Sequence, residues 1–458
     1  MMKINKKWSF AYAVLKGYVR FCLRIYFGKV EVVGLENLPK DAPFIFSPNH
    51  QNALLDALLI ICFTKKQPLS LARADVFKIS IVRKTLNKIK MLPVFRPHDG
   101  MDQMGRNEAI FNEAVSFLLA NNPLIIFPEG NHSFHYYLRS LKKGILRIAF
   151  RTQARLYQKP RKGVQLIPTG IDYQGHYAFR QGVLIRFGKP INISNYYEDY
   201  LKDPVLVMNS VRDTLWNAID NEIVNITTVE EYDTIRGIIN IVVPELCQRN
   251  GINLCELNKK FPYRKKMSEE IIELSREQPE SFKMLKLVVQ EYLNGLKTQK
   301  ITNLNIQSQF IFMKRWVVEF LLLIVLFPFF IIGALFNLLA FKLIVVWVNR
   351  LTVKDPQFIP TLRFGLAIVI FPVNYLLWAL VFHLLIPGPT WLVWPFIVAI
   401  FCSGIIAHKY SLLVKNFASA WRLKKGVRHK IPAILNLLTT RQKIFKFLDP
   451  IWDSINKE

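Results

Sequence analysis

Acidic residues are scarce in this chain. Among 458 residues there are 33 Asp and Glu against 61 Lys and Arg, a formal net charge of +28. A deficit of that size calls for a polyanionic partner, either nucleic acid or an anionic membrane surface. Cysteine is scarce too, and Cys22, Cys62, Cys247, Cys255 and Cys402 are scattered and odd in number. No two have zinc-ligand or redox spacing, which leaves them reduced and structural. The N-terminus lacks a small-residue cleavage site, and Lys16, Arg20 and Arg24 interrupt its apolar residues, so it does not read as a signal peptide. No metal site is expected: Glu129, His132 and His135 stand three residues apart, but Glu129 belongs to the run Phe127-Pro-Glu-Gly130, which accounts for it.

Apolar residues are plentiful. They make up 51% of the chain, and the mean hydropathy is +0.20. Long apolar runs favour the membrane over nucleic acid as the partner. In residues 1–29, Trp8, Tyr12, Leu15, Tyr18, Cys22 and Ile25 share one helical face, the pattern of an interfacial amphipathic helix. A surface helix packed on its own domain is the alternative. Residues 364–408 form two apolar stretches around Pro387-Gly-Pro389, a transmembrane helical hairpin. Residues 313–349 read as a re-entrant pair or one tilted span. Basic flanks on both sides (Lys314, Arg315 and Arg350) favour an even number of crossings. Residues 409–458 read as a basic cytoplasmic tail against anionic headgroups, and 198–312 as a polar helical accessory segment.

Residues 30–197 alternate short β-type runs with helical patterns, giving an α/β class with a mixed sheet flanked by helices. The expected strands are 30–33, 44–47, 92–95, 124–127, 165–170 and 183–187. Helical patterns cover 53–63, 76–88, 106–119 and 144–156.

The chemistry centres on FIFSPNHQNALLDALLI, residues 44–60. An imidazole takes a proton from an alcohol near neutral pH when a carboxylate fixes its tautomer. His50 and Asp56 are the right types, and Asp56 is the sole acid between Pro43 and Ala72. On one continuous helix, six residues turn through roughly 600°, which separates the two side chains. They meet only if His50 precedes the helix, on a turn favoured by Pro48 and Asn49. A capping Asn-His with an unrelated helix Asp is the alternative reading.

Further along, Phe127-Pro-Glu-Gly130 ends a β-run and Ile167-Pro-Thr-Gly170 follows. With Asn49-His50 and its Asp, these blocks resemble the motif series of the glycerolipid acyltransferases related to 1-acylglycerol-3-phosphate acyltransferase, from about residue 30 to 195. The resemblance implies that His50 is the general base, that Asp56 orients it, and that the acceptor hydroxyl attacks an acyl thioester without an acyl-enzyme. It implies acceptor or phosphate contacts at Lys78, Arg96, Glu129, Gly130, His132, Arg139 and Lys143. Asn49, Pro128 and Pro168 become structural residues near the site.

Two departures matter. Five residues rather than four separate His50 from Asp56, and His50-Gln-Asn52 resembles the fungal-type glycerol-3-phosphate/dihydroxyacetone-phosphate branch, as does residues 170–191. Gly130-Asn131-His132-Ser133 stands where the family has Gly-Thr-Arg-Ser, which moves the clamp to Arg96, Arg139 or Lys142. The implied protein is an integral membrane acyltransferase with its catalytic domain on the cytoplasmic face. It would acylate glycerol 3-phosphate or dihydroxyacetone phosphate from acyl-CoA or acyl carrier protein, with no cofactor and no nucleic acid. The alternatives are a lysophosphatidate, other lysolipid or amino-acid-lipid acyltransferase, and a catalytically silent lipid-binding relative.

Overall fold

The computed structural model describes residues 5–77, 80–94, 106–133, 135–176, 179–307, 309–351 and 356–456. Among them, eight strands form one sheet: β1 (Lys29–Val33), β2 (Phe44–Pro48), β3 (Leu69–Arg73), β4 (Met91–Val94), β5 (Leu124–Ile125), β6 (Gln165–Tyr173), β7 (Gly182–Phe187) and β8 (Ile191–Asn192). The order is β1-β7-β6-β2-β5-β3-β4, with β8 paired to β6. β7 and β8 run antiparallel to β6; the other pairings are parallel. β2 is buried along its whole length, as a central strand covered on both faces must be. β3 and β8 were not anticipated. In β3 the alternation Leu69-Ser70-Leu71 is cut short by Ala72-Arg73, and β8 has only two residues, so neither gives a full strand pattern.

The helices of this unit are α1 (Phe10–Phe27), α2 (Ala53–Phe63), α3 (Ser80–Lys88), α4 (Arg106–Leu119), α5 (Gly144–Leu156), α6 (Tyr197–Lys202) and α7 (Pro204–Asp220). The unit runs through Thr227 and includes residues 255–261, so it extends past the expected boundary at 197. The cause is a stripe at strict four-residue spacing: Val207, Val211, Leu215 and Ile219 are buried in the core with Leu146, Ile148 and Phe150 of α5. Asp203 caps α7 by accepting from the Val205 and Leu206 amides, at 3.0 Å each.

α1 departs from the expected face. Tyr12, Val19, Leu23 and Phe27 point inward, while Trp8, Phe10, Val14 and Phe21 are exposed. Tyr12 is held inward by its hydroxyl, which donates to the Pro68 carbonyl (3.2 Å), and by the Lys90 ammonium 5.7 Å from its ring centroid. Lys16 is turned inward as well, donating to the Thr64 (2.6 Å) and Lys66 (2.8 Å) carbonyls at the C-terminus of α2.

The second unit is helical: α8 (Tyr232–Arg249), α9 (Leu257–Glu277, from Pro262 on), α10 (Pro279–Gln299), α11 (Asn303–Gln307), α12 (Gln309–Arg350), α13 (Ile359–Leu385, from Leu362 on), α14 (Val393–Arg428) and α15 (Pro432–Asn456). The described part of residues 409–458 is mostly helical, forming the end of α14 and all of α15. Arg441 of α15 pairs with Glu245 of α8 at 2.5 Å, Asn436 donates to Glu291 of α10 at 2.7 Å, and the Arg249 guanidinium covers Trp452 at 4.4 Å.

Among the described residues, three helical stretches are long and apolar enough to cross a membrane: Trp316–Arg350, Ile359–Leu385 and Thr390–Arg428. Residues 313–349 lie in one continuous helix, not in a pair broken near Pro328–Asn337. Pro328 sits inside α12 without breaking it. Gly333 and Asn337, which interrupt the apolar run in sequence, are contact residues rather than turn residues. α12 and α14 pack antiparallel: Trp316 lies 5.9 Å from Trp421, and Phe336 lies 5.6 Å from Phe396. At Gly333 an added Cβ would stand 2.2 Å from the Ser403 carbonyl oxygen, so only glycine permits this approach. The Asn337 amide donates to the Ile400 carbonyl (3.1 Å) and accepts from the Tyr375 hydroxyl (2.9 Å), tying the three helices together.

Asn337→Leu should lower the melting temperature in detergent by the equivalent of about 1 kcal/mol. Gly333→Leu should lower it further, because the helices must separate. A Gly333→Leu protein as stable as wild type would contradict this packing.

Candidate active site

The site is built at the carboxyl ends of β2, β5 and β6, where open α/β sheets place their ligands. At the end of β2 the Asn49 side chain replaces a strand residue. Its amide donates to the Ile171 carbonyl (3.1 Å) and its oxygen accepts from the Ile171 amide (2.7 Å). This extends the β2–β6 pairing by one rung while the backbone turns away, and His50 leaves the sheet at that turn.

His50 is fixed on every side. Its backbone amide donates to Glu129 Oε1 (2.7 Å), and its carbonyl accepts from the Ser133 amide (3.1 Å). Its ring stacks on Phe127 with centroids 4.0 Å apart, and Nδ1 lies 2.8 Å from Asp56 Oδ2. Nδ1 is therefore committed to Asp56, and Nε2 is the nitrogen that can act as a base. The five intervening residues divide into two parts: Gln51 and Asn52 form a turn, and Ala53–Leu55 form the first turn of α2. Ala53 adopts φ +42°, a left-handed conformation that costs a non-glycine residue about 1 kcal/mol.

Asp56, fully buried, holds that turn closed. Oδ2 also accepts from the Gln51 (2.8 Å) and Asn52 (2.7 Å) amides, while Oδ1 accepts from the Tyr173 hydroxyl at 2.5 Å. A carboxylate beside two free amides at a helix N-terminus is stabilised by the helix dipole. Burial, then the charge of Asp56, keeps the Tyr173 phenol protonated far above its usual range.

Glu129 follows β5, the parallel neighbour of β2, and is buried. Oε1 holds the His50 amide and Oε2 the Arg139 amide (3.2 Å), so its carboxyl ties the His50 turn to the following loop. Burial pushes its pKa up to about 8 against the pull of these two donors and of the Arg139 charge. Gly130 is exposed with φ +68°, the region glycine enters without strain. The Pro128 carbonyl accepts from the Lys142 amide (2.7 Å). Arg139 is half-buried, Lys142 exposed, and Lys143 occupies the N-cap position of α5. His132 is buried, its ring 5.1 Å from that of His50. Pro168 lies within β6 opposite Ser47. Lys78 and Arg96 lie outside the described residues.

Three contributors escaped the sequence reading. Tyr173 could have been noticed, since Thr169, Ile171 and Tyr173 alternate along one strand face. Phe127, half-buried under His50, was read only as part of its motif. Phe358 meets His132 edge-on at 4.9 Å from more than 200 residues away, with no local signal.

The raised pKa of Glu129 predicts how the stability of the fold changes with pH. Its folded pKa is raised, so the stability it contributes is full below about pH 4.5 and is lost as pH rises through about 8. The melting temperature should fall across that window. Glu129→Gln should flatten the fall and lower the melting temperature in mildly acidic buffer, because one backbone amide loses its acceptor, about 1–3 kcal/mol. An unchanged slope in the variant would assign the effect elsewhere.

Residues 29–172 match the family model described as Acyltransferase. An uncharacterized acyltransferase of Schizosaccharomyces pombe is 26% identical over 154 residues, 33% of this chain and 22% of that one. Glycerol-3-phosphate O-acyltransferase 1 of Saccharomyces cerevisiae is 26% identical over 127 residues, 28% of this chain and 16% of that one. The chain thus spans less than a quarter of the length of these curated relatives. The crystal structure of the 1-acyl-sn-glycerophosphate (LPA) acyltransferase PlsC from Thermotoga maritima is 24% identical, with a TM-score of 0.32, covering 44% of this chain and 78% of that one. The likeness to acyltransferases thus covers residues 29–172, the stretch that holds His50, Asp56 and Glu129.

Proposed function

We propose that the protein is a membrane-bound acyltransferase that moves a fatty acyl group from an acyl thioester, of coenzyme A or of acyl carrier protein, to a hydroxyl of glycerol 3-phosphate or dihydroxyacetone phosphate. The observation that carries this reading is the 2.8 Å contact between His50 Nδ1 and Asp56 Oδ2 on a family-matched domain. His50 Nε2 takes the proton of the acceptor hydroxyl as its oxygen attacks the thioester carbonyl. The C–S bond breaks, and the leaving thiolate takes the proton back from the imidazolium. Hydroxyl and thioester become ester and thiol, with no covalent enzyme intermediate and no cofactor. Asp56 stabilises the transient imidazolium. Arg139, Lys142 and Lys143 supply positive charge for the acceptor phosphate, with Lys78 and Arg96 from the matching motif block.

Residue types support a membrane setting. Trp8, Phe10, Val14 and Phe21 give α1 an exposed apolar face suited to a bilayer interface. Within α12, Lys314 and Arg315 precede the apolar stretch Trp316–Arg350, and Lys424, Lys425 and Arg428 end α14, whose Trp421 stacks beside Trp316. The positive-inside tendency assigns this end to the cytoplasm, and with it the α/β domain that precedes α12 in the chain.

Purified protein in lipid should release free thiol only when the acceptor is present, with glycerol 3-phosphate, dihydroxyacetone phosphate and lysophosphatidate assayed side by side. His50→Ala should lower turnover about a thousandfold without loss of folding. Asp56→Asn should lower it by about 10³–10⁴ and also reduce stability, since the carboxylate closes the turn. Turnover preserved in His50→Ala would reject the mechanism, and a response to lysophosphatidate alone would reassign the acceptor.

A further inference from the structure

Asp56 carries more donors than its role as partner of His50 needs. Three sit on Oδ2: the ring nitrogen of His50 and the Gln51 and Asn52 amides. The fourth, the Tyr173 hydroxyl, takes Oδ1 alone at 2.5 Å. Gln51 and Asn52 are explained by the turn before α2. Tyr173 is not, because it arrives from the far end of β6, fully buried. Its placement is itself supported: its backbone carbonyl accepts the Tyr136 hydroxyl (2.5 Å), and its ring packs on Phe27 of α1 at 5.7 Å. A phenol held there by two separate segments is a poor choice for filling space. Phenylalanine would fill the same volume without having to satisfy a hydroxyl.

We infer that Tyr173 is a positioning residue for the His50–Asp56 pair, withdrawing charge from the carboxylate so that it steadies the imidazolium without trapping the proton. The inference rests on the proposed role of His50 as base. A donor on a carboxylate spreads its charge and weakens its pull on a neighbouring cation. With Tyr173 in place, His50 stays free to accept the hydroxyl proton and to return it to the leaving thiolate. Without it, the carboxylate concentrates its charge on the imidazole, which holds its proton to higher pH.

Among the described residues, the other titratable groups around the pair are Glu129, His132, His176 and Tyr26. Glu129 interacts with Asp56 and is itself held by the Arg139 amide and charge. His132 lies 5.1 Å from His50, His176 lies 5.2 Å from the Tyr173 ring, and Tyr26 of α1 adds its charge interaction with Tyr173. In Tyr173→Phe only Tyr26 among these loses an interaction, the one with the Tyr173 phenol, so the comparison with wild type reads the loss of the hydroxyl and its hydrogen bond to Asp56.

The test uses the full chain in lipid, with palmitoyl-CoA and glycerol 3-phosphate. In Tyr173→Phe the acid limb of the kcat/KM profile should move to higher pH by about half a unit or more. The NMR titration of the His50 ring, assigned by its loss in His50→Ala, should move the same way. Difluorotyrosine incorporated at position 173, a stronger donor, should move both to lower pH and covers the case in which the phenylalanine variant is unstable. An unmoved His50 titration in a folded variant overturns the inference and leaves Tyr173 as packing. Because the ring titration needs no turnover, it decides the point even if the acyltransferase reading fails, which the His50→Ala assay reports separately.

Discussion

The candidate site depends on one buried carboxylate. Asp56 closes the turn before α2, fixes the ring of His50 and receives the Tyr173 hydroxyl. Each contact is short, and together they leave the carboxylate surrounded by donors, which is how a charge survives burial. The left-handed Ala53 backbone is the strain that this arrangement sustains. The site is therefore a folding feature as much as a chemical one: the turn that presents His50 forms only around the group that orients it.

A second support comes from the sheet. Asn49 continues the β2–β6 ladder with its side chain, and Glu129 reaches across from the neighbouring parallel strand to hold the His50 amide. Both residues spend their polar atoms on backbone groups. That places the motif residues Asn49 and Glu129 in the framework around the histidine, and it leaves the half-buried and exposed cations of the following loop facing outward.

Much of this was legible in the sequence. The α/β alternation gave most of the strands, and the Pro48-Asn49 turn gave His50 its place ahead of the helix. The hidden parts share a cause: the sequence signal was either too short or too distant. β8 has two residues, and Phe358 reaches His132 from more than 200 residues away. The stripe of Val207, Val211, Leu215 and Ile219 could have extended the domain, but surrounding polar residues masked it. In the membrane helices, Gly333 and Asn337 look like interruptions until a neighbouring helix is placed against them. A residue that breaks a helix and one that lets two helices touch are the same letters in one dimension.

The dual role of Asp56 has a consequence for divergence. Losing His50 removes a partly exposed ring and leaves the turn closed by the same carboxylate. Losing Asp56 strands two backbone amides and a buried phenol at once. A descendant drifting away from catalysis would therefore shed the histidine first and keep the aspartate as a relic. Within such a lineage the buried acid would outlast the histidine, because the turn before α2 closes around it.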